Sequence, residues 1–172
     1  VAIVGVPYDG NDPLYGSGAV YVFVRNGERW EQQAKLTASD AGELENFGWS
    51  VAISGDVAIV GTPYAVNDDG YRYGSAYVFE RNGDMWEEKK KLASSDAAAG
   101  DWFGRSVAIS GDIAIVGVPY DDDAGFDSGS AYVFIRNGNT WEEQAKLTAS
   151  DAAQNDWFGN SVAISGDVAI VG

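Results

Sequence analysis

Val57-Ala58-Ile59-Val60-Gly61 is the stretch that decides the fold, because the chain repeats it almost unchanged at a fixed spacing. The same positions read Val1-Ala2-Ile3-Val4-Gly5 56 residues earlier and Ile113-Ala114-Ile115-Val116-Gly117 56 residues later. A further copy, Val168-Ala169-Ile170-Val171-Gly172, follows after another 55 residues. A fixed period of this size is typical of stacked repeats, in which each unit buries its apolar faces against its neighbours. The 172-residue chain is therefore predicted to be one repeat array.

One repeat unit contains four β-prone segments joined by turn signals, which are clearest from Phe103 onward. Two short apolar runs flank Ser110-Gly111-Asp112, where glycine supplies the positive φ of a tight hairpin turn. Pro119 ends the second run, and Asn137-Gly138 joins the third run to a fourth that starts near Trp141. The unit is therefore predicted to be a four-stranded antiparallel meander.

The third strand of the unit is apolar on both faces, with Tyr132 and Phe134 on one side and Val133 on the other. A sheet with one solvated face would alternate apolar and polar residues, so both faces must be covered. We therefore predict an all-β fold of tandem four-stranded blades of the β-propeller type, either a partial or open propeller or a stacked array. The predicted blades span 1–46 (strands two to four), 47–102, 103–157 and 158–172 (the first two strands of a fourth).

The composition argues against several classes of function. The chain carries 26 acidic and 11 basic residues, a net charge of −15, which repels nucleic acid because phosphates are neutralised by Lys and Arg. It has no Cys and no His, which removes thiolate nucleophiles, the usual zinc ligands and His-based triads. No apolar run approaches the ~18 residues of a membrane span. We expect a non-enzymatic protein with no nucleic-acid partner and no membrane insertion.

Two short motifs recur in register with the repeat. Phe-Gly occurs at Phe47-Gly48, Phe103-Gly104 and Phe158-Gly159, and Gly-x-Pro occurs at Gly5-Val6-Pro7, Gly61-Thr62-Pro63 and Gly117-Val118-Pro119. In these motifs the chain resembles, over essentially its whole length, the FG-GAP repeats of integrin α-subunit propellers and of many bacterial surface proteins. The resemblance implies a β-propeller fold and an extracellular or cell-surface location. The residue before the proline is Val or Thr here, where the family usually has Ala.

Calcium is the cofactor that the acidic loops suggest. Integrin-type repeats that bind calcium carry an Asp-rich loop between the first two strands. This chain has only a Ser-Gly-Asp turn there, which is too short to supply the roughly six to eight oxygen ligands of a Ca²⁺ site. The candidate is instead the loop after Gly-x-Pro. Its candidate ligands are Asp121, Asp123 and Asp127 in the third copy, Asn67 and Asp69 in the second, and Asp9, Asn11 and Asp12 in the first. The alternative is a solvated loop in which Asp and Asn side chains form turns.

Other charged groups occur at fixed places in the repeat. Asp101 and Asp156 precede Trp-Phe-Gly, with Glu45 near the same place in the first copy, and they either extend a cation site or are turn carboxylates. The loops between blades begin with Ser-Asp at positions 39, 95 and 150, which we expect to cap turns within those loops. The basic run 89–91 lies on an outer strand, where lysine discourages edge-to-edge pairing.

Aromatic residues near the loops are candidate contacts for a glycan or protein ligand. Tyr8, Tyr64 and Tyr120 follow the prolines directly, and Tyr71 and Phe126 vary between copies, as binding residues on loops tend to do. Three tryptophans that start the fourth strands are expected to pack between blades, with sugar stacking as the alternative. These tryptophans are Trp30, Trp86 and Trp141.

The matching end sequences suggest how the array is used. The chain is a part of a longer propeller, or copies complete each other's blades, or units join head to tail into a filament; matching ends favour the last two. The leading hypothesis is a non-enzymatic extracellular structural or interaction module of an adhesin, surface layer or fibre, assembled through its ends or through further repeats. The alternative is a ligand-binding propeller, with calcium as a candidate cofactor. No pair of carboxylates stands out for a third hypothesis, acid–base chemistry on a sugar.

Overall fold

The computed structural model describes residues 1–9 and 14–172, which contain 13 β-strands and no helix. The first sheet holds β1 Ala2–Val6, β2 Ala19–Asn26 and β3 Arg29–Leu36, and the second holds β4 Ser50–Ser54, β5 Val57–Thr62, β6 Ser75–Asn82 and β7 Met85–Leu92. The third sheet holds β8 Ser106–Ser110, β9 Ile113–Val118, β10 Ser130–Asn137 and β11 Thr140–Leu147, and the fourth holds β12 Val162–Ser165 and β13 Val168–Val171. Neighbouring strands are antiparallel and follow chain order, so the predicted all-β fold of tandem meander blades is confirmed.

Consecutive blades pack face to face, as the two-sided apolar strands require. Tyr77 and Phe79 on β6 face the first blade, whereas Val78 on the same strand faces the third. Phe47 lies at the entry to the second blade, with its ring edge-on to Tyr77 and Phe79 at centroid distances of 5.6 and 5.9 Å. Each full boundary thus forms its own apolar core, and the blades form an open, propeller-like stack.

The two recurring glycine motifs meet at each blade boundary. A Cβ atom built on Gly61 of Gly-x-Pro would lie 2.1 Å from the carbonyl oxygen of Gly104, the glycine of the next Phe-Gly. The pairs Gly5–Gly48 and Gly117–Gly159 meet in the same way, at 1.9 Å from the carbonyl oxygen. No side chain fits between the two backbones, so the close packing of the blades explains why both positions are glycine.

Every described blade with a third and fourth strand carries a β-bulge at the same place. Ala34 and Gln32 pair with consecutive residues of β2, which leaves Gln33 as the extra residue. Lys89 and Gln144 are the extra residues of β7 and β11. A bulge re-aims the side chain it carries. In the first blade it directs Gln33 toward the second blade, where its amide nitrogen donates to Asp84 at 3.0 Å and its oxygen accepts from the Trp86 indole at 3.4 Å.

Candidate functional site

The acidic loop of the third blade closes around a lysine. The ammonium of Lys146 on β11 lies 2.7 Å from Oδ2 of Asp121 and also pairs with Asp123. A third carboxylate, that of Asp96 at 2.8 Å, comes from the loop that follows the second blade. Burial alone would lower the pKa of Lys146, but hydrogen bonds to these carboxylates raise the pKa above its ordinary value. Two of the three predicted calcium ligands of this loop are therefore engaged by an internal cation.

Asp121 is the most enclosed carboxylate of this cluster. Its Oδ2 accepts hydrogen bonds from the hydroxyls of Ser130 at 2.6 Å and Tyr132 at 3.2 Å. Burial raises the pKa of Asp121, but the bonds from Lys146 and Ser130 outweigh burial and hold the pKa below its ordinary value. Asp127, the third predicted ligand, is not a partner of Lys146 in the described contacts; its backbone N–H donates to Oδ1 of Asp122 at 2.7 Å.

In the second acidic loop, the predicted ligands form turns. Oδ1 of Asp69 accepts the N–H of Tyr71 at 3.0 Å, and Oδ2 accepts the hydroxyl of Tyr73 at 2.5 Å. The hydrogen bond from Tyr73 lowers the pKa of Asp69. The carbonyl of Asn67 accepts the N–H of Gly70 at 2.9 Å, which closes the turn.

In the first acidic loop, Asp9 repeats the lysine contact of the third. Its Oδ2 lies 2.7 Å from the ammonium of Lys35 and accepts the hydroxyl of Tyr21 at 3.3 Å. Asn11 and Asp12 lie outside the described residues. Across residues 1–9 and 14–172, no group of three or more His, Cys, Asp or Glu side chains is arranged to hold a metal ion. Calcium binding at these loops stays a prediction.

Asp101 is a buried carboxylate beside the Lys146 cluster. It is 7% exposed, and its Oδ2 accepts the N–H of Ala98 at 2.7 Å. Burial, and then the charges of Asp121 and Asp122, raise the pKa of Asp101 to about 6. This carboxylate is therefore held in a place that disfavours its charge.

The equivalents of Asp101 differ in reach and exposure. Asp156 accepts the N–H of Ala153 at 2.7 Å from an exposed position. Glu45, which is one methylene longer, accepts the N–H of Gly42 through Oε2 and the N–H of Val66 in the next blade through Oε1, both at 3.0 Å. These residues cap the turns between blades, as the turn interpretation of the sequence expects.

A row of aromatic rings crosses the three blade boundaries. In order the rings belong to Tyr8, Trp49, Tyr64, Trp102, Tyr120 and Trp157, and neighbouring centroids lie 4.5 to 6.4 Å apart. Arg105 lies 4.8 Å from the centroid of Trp49, and Arg72 lies 5.4 Å from that of Tyr64. The structure thus brings together the three tyrosines that follow the prolines. The exposed Tyr71 and Phe126 are not in the row.

Sequence reasoning missed the tryptophans of this row. Trp102 and Trp157 directly precede Phe-Gly, so their motif position was a usable signal. Trp49 instead follows Phe-Gly, a position that Arg105 occupies in the next copy. Only the fold shows that Trp49, from a different motif position, continues the same row.

The first and second blades are each joined to the following blade by a polar contact that we call the interblade clasp. After the first blade, the N–H and hydroxyl of Ser39 donate to Glu88 on β7 at 2.9 and 2.8 Å. The adjacent Asp40 accepts the hydroxyl of Tyr77 at 2.7 Å and pairs with Lys91 at 2.6 Å. Burial opposes the charge of Asp40, but the bonds from Lys91 and Tyr77 lower its pKa.

The clasp recurs at the second boundary. Ser95 donates to Glu143 at 2.9 and 2.8 Å, and Asp96 accepts from Tyr132 and Lys146. The expectation that Ser-Asp caps a turn within its own loop is therefore wrong at both boundaries. The side chains cross to the next blade, because the turn N–H groups are already capped by Glu45 and Asp101. Of the basic run 89–91, Lys91 belongs to a clasp and Lys89 to the bulge.

The two end faces of the stack expose apolar residues that are buried inside it. Trp141 packs on the second blade and is 3% exposed, whereas Trp30 is 53% exposed. The expectation of interblade packing therefore fits Trp141 and the half-buried Trp86 but is wrong for Trp30, which no described blade covers. At the other end, Ile170 is 71% exposed, whereas its equivalent Ile59 is fully buried.

Comparison with known proteins assigns the family. The model of the FG-GAP repeat matches residues 30–79, 86–134 and 141–172. A comparison with curated protein sequences gives no significant match. No helix long and apolar enough to cross a membrane occurs in the described part of the chain. The three matches cover more than half of the chain, which therefore belongs to the FG-GAP repeat family, whose repeats are typical of extracellular β-propeller proteins.

Proposed function

We propose that the chain is a non-enzymatic structural and interaction module of an extracellular or cell-surface protein, and that its end faces bind further blades of the same kind. The observation that carries this proposal is the contrast between Trp30 and Trp141 and between Ile170 and Ile59. Each interior partner is buried by a neighbouring blade. Exposed apolar surface of this kind marks an interaction site.

The blade that fits the trailing face is one with the geometry of the interior boundaries. Val168 and Ile170 project from β13 at 68% and 71% exposure. Their equivalents Val57 and Ile59 pack on the third blade within one continuous core. The leading face offers the complementary half, with Trp30, Tyr21 and Phe23 in the places that face the preceding blade elsewhere. Such a contact is heterologous, so it joins copies head to tail.

The test is the mass of the protein in solution over a wide range of concentration, measured by light scattering. We expect mass to rise above that of the monomer with concentration, and Ile170→Asp to reduce this rise by placing a charge in the contact. Met85→Asp is the matched control, because Met85 is also exposed but lies at the start of β7, next to the β6–β7 turn of an interior blade. A parent protein that stays monomeric at all concentrations would refute self-association.

A second candidate function is binding of a glycan or protein along the aromatic row. Its support is the continuity of six rings along the stack, with Tyr8 and Trp157 exposed at the two ends. Aromatic faces contribute large contact areas at small entropic cost. We expect Tyr8→Ala to weaken a signal on a glycan array without lowering thermal stability. Tyr15→Ala is the control, since Tyr15 is exposed but outside the row. Equal signals for both variants would remove the row as the binding surface.

A further inference from the structure

The acidic loop of the second blade lacks the two carboxylates that hold Lys146 in the third. Counted from the tyrosine after the proline, Ala65 and Asn67 stand where Asp121 and Asp123 stand in the third blade. Both replacements are neutral, and alanine has no polar group at all. The lysine of the second blade is therefore left without a carboxylate from either of these positions.

That lysine, Lys91, is nevertheless placed as Lys146 is. Lys91 lies opposite Tyr77 in the register of β6 and β7, as Lys146 lies opposite Tyr132 in the register of β10 and β11. The two ammonium groups lie 5.4 and 5.2 Å from the centroids of these tyrosine rings. Among the residues that the structure describes, Lys91 forms an ion pair with one carboxylate, that of Asp40, whereas Lys146 pairs with three.

A buried serine hydroxyl points to the same position. In the third blade, Ser130 donates to Asp121 at 2.6 Å. Ser75 is its equivalent in the second blade and is 1% exposed, and within residues 1–9 and 14–172 its hydroxyl has no hydrogen-bond partner. The directly opposite Thr62 also has a buried hydroxyl without a partner in that part of the chain. The first blade has Ala19 at the place of Ser75, so the strand accepts an apolar residue there. Buried hydroxyls without a partner are costly, which calls for an acceptor at this position.

The third blade shows which acceptor fits. A single oxygen, Oδ2 of Asp121, lies 2.6 Å from the serine hydroxyl, 3.2 Å from the tyrosine hydroxyl and 2.7 Å from the lysine ammonium. The second blade presents the same three groups around Ala65, and we call this arrangement the Ala65 site. Its three groups belong to Ser75, Tyr77 and Lys91. Charge-assisted hydrogen bonds from such groups favour a carboxylate, which here has to come from outside the loop.

A cleft beside Lys91 gives a ligand room. It has a volume of about 530 Å³, which lies in the range of small-molecule sites. Its walls come from the loop after the first blade and from the second blade, so it does not depend on what precedes Val1 or follows Gly172. Ser75 is closed off from solvent, so a carboxylate reaches it when Lys91, whose side chain is 33% exposed and flexible, swings aside.

The polar walls of the cleft narrow the class of ligand. Asn67 offers an amide that donates and an oxygen that accepts, whereas Asp68 and Asp69 offer carboxylate oxygens that accept from hydroxyls. These aspartates also repel a second negative charge, because like charges in close contact are unfavourable. The cleft therefore suits a ligand with one carboxylate and several hydroxyls.

We propose that the Ala65 site binds the carboxylate of a sugar acid, such as a uronic acid unit of a glycan. Lys91 and Ser75 bind the carboxylate, and Asn67 and Asp68 contact the hydroxyls of the ring. The site is separate from the end faces and from the aromatic row, so it goes beyond the functions proposed above. The first and third blades bind their lysines with an aspartate of their own loops, so the second blade alone is expected to bind the ligand.

The experiment is an NMR titration of the whole, isotope-labelled chain with glucuronate. We expect the backbone N–H signals of residues 66–69 and 91–93 to shift and to saturate. Glucose has the ring without the carboxylate, and acetate has the carboxylate without the ring, so each should bind at least about 10-fold more weakly. Equal binding of glucose would overturn the role of the carboxylate, and equal binding of acetate would overturn the assignment to a sugar acid. The absence of a saturable shift with glucuronate would overturn the whole proposal.

Removal of the serine hydroxyl tests the site itself. Ser75→Ala should weaken glucuronate binding about 10-fold, because it removes a hydrogen bond to a charged group. Ser17→Ala is the matched control, since Ser17 is also 1% exposed and its hydroxyl also lacks a partner among the described residues, but it lies before β2 of the first blade. Equal binding by both variants would show that glucuronate binds elsewhere.

Ala65→Asp supplies the carboxylate from the chain, as the other two blades do. It should abolish glucuronate binding and raise the melting temperature, because Ser75 and Lys91 gain an acceptor. Ala99→Asp makes the same change in charge in an exposed turn outside the cleft and should do neither. Glucuronate binding that survives in folded Ala65→Asp would contradict the proposal.

A last variant separates this site from the aromatic row. Tyr8→Ala should leave the glucuronate titration unchanged, and a loss of binding there would assign the ligand to the row instead. Thermal melting of each variant checks that it is folded. Should Ala65→Asp fail to fold, Ser75→Ala decides by itself, because the first blade already carries alanine at that place.

Discussion

Asp101→Asn should stabilise the protein at neutral pH, although Asp101 accepts a hydrogen bond and lies in a crowded polar cluster. Asn keeps an oxygen that can accept the N–H of Ala98, so the cap is retained. It removes a charge that burial and the neighbouring Asp121 and Asp122 disfavour. A pKa that moves from 3.8 to about 6 on folding corresponds to about 3 kcal/mol above that pH, as an upper bound.

Because the pKa of Asp101 is raised on folding, the stability gained by Asp101→Asn depends on pH in a defined way. The folded pKa of Asp101 lies above the unfolded value, so the parent is favoured below about pH 4 and loses that stability as pH rises through about 6. Asn has no such titration. The advantage of Asp101→Asn should therefore be close to zero near pH 4, grow between about pH 4 and 6, and stay constant above that range.

Urea unfolding at a series of pH values measures this difference. Asp156→Asn is the matched control, because Asp156 accepts the same turn N–H at the same 2.7 Å but is exposed. We expect the control to change the free energy of unfolding by less than about 0.5 kcal/mol at any pH. A variant of Asp101 that is no more stable than the parent at about pH 8 would refute the reasoning, as would a gain that is independent of pH.

Three further predictions concern the boundaries between blades. The Trp141 indole N–H is buried and has no hydrogen-bond partner among the described residues, whereas the equivalent Trp86 indole donates to Gln33. Lys89→Gln would place an acceptor at the position equivalent to Gln33 and should therefore stabilise the second boundary by about 1 kcal/mol, measured by urea unfolding. Gln33→Lys should destabilise the first boundary by a similar amount, and two changes of the same sign would contradict this. Gly61→Ala should lower the free energy of unfolding by about 3 kcal/mol, because its Cβ would meet the Gly104 carbonyl. Gly138→Ala should lower it by about 1 kcal/mol, because this residue has a positive φ but open space around it. Equal losses of stability in the two variants would show that the backbone contact is not the reason. Lys146→Ala should lower the melting temperature by leaving three carboxylates without their cation, and Ca²⁺ should recover part of the loss; no recovery would remove Asp121 and Asp123 as calcium ligands.

The fold could be predicted from the sequence because its determinants are local and repeated. Asn137-Gly138 specifies a hairpin wherever it stands, and Pro119 ends a strand wherever it stands. The two apolar sides of 130–135 require a neighbour on each face. These signals recur in every copy, so each prediction was supported independently several times over.

The candidate site could be predicted only in part, because its contacts join distant positions. Asp121 and Lys146 are separated by many residues, and no spacing rule connects a loop carboxylate with a lysine two strands later. The bulge that directs Gln33 toward the next blade has no recognisable sequence signal, because the equivalent bulge residue in the next copy is Lys89. Asp101 is buried, which raises its pKa, whereas its equivalent Asp156 is exposed. This difference depends on the blade that follows each residue, which the local sequence does not specify.

The contact between Gly61 and Gly104 has a consequence for how such a protein diversifies. Main-chain atoms of Gly61 and Gly104 meet there, and the Ser50 hydroxyl fastens the contact by donating to the Gly104 carbonyl at 2.8 Å, so the rim loops do not set the pitch of the stack. The rim loops at 66–73 and 121–129 can therefore change sequence from copy to copy while the pitch stays constant. A protein built this way keeps one backbone arrangement of its blades while the exposed loop residues differ from one repeat to the next.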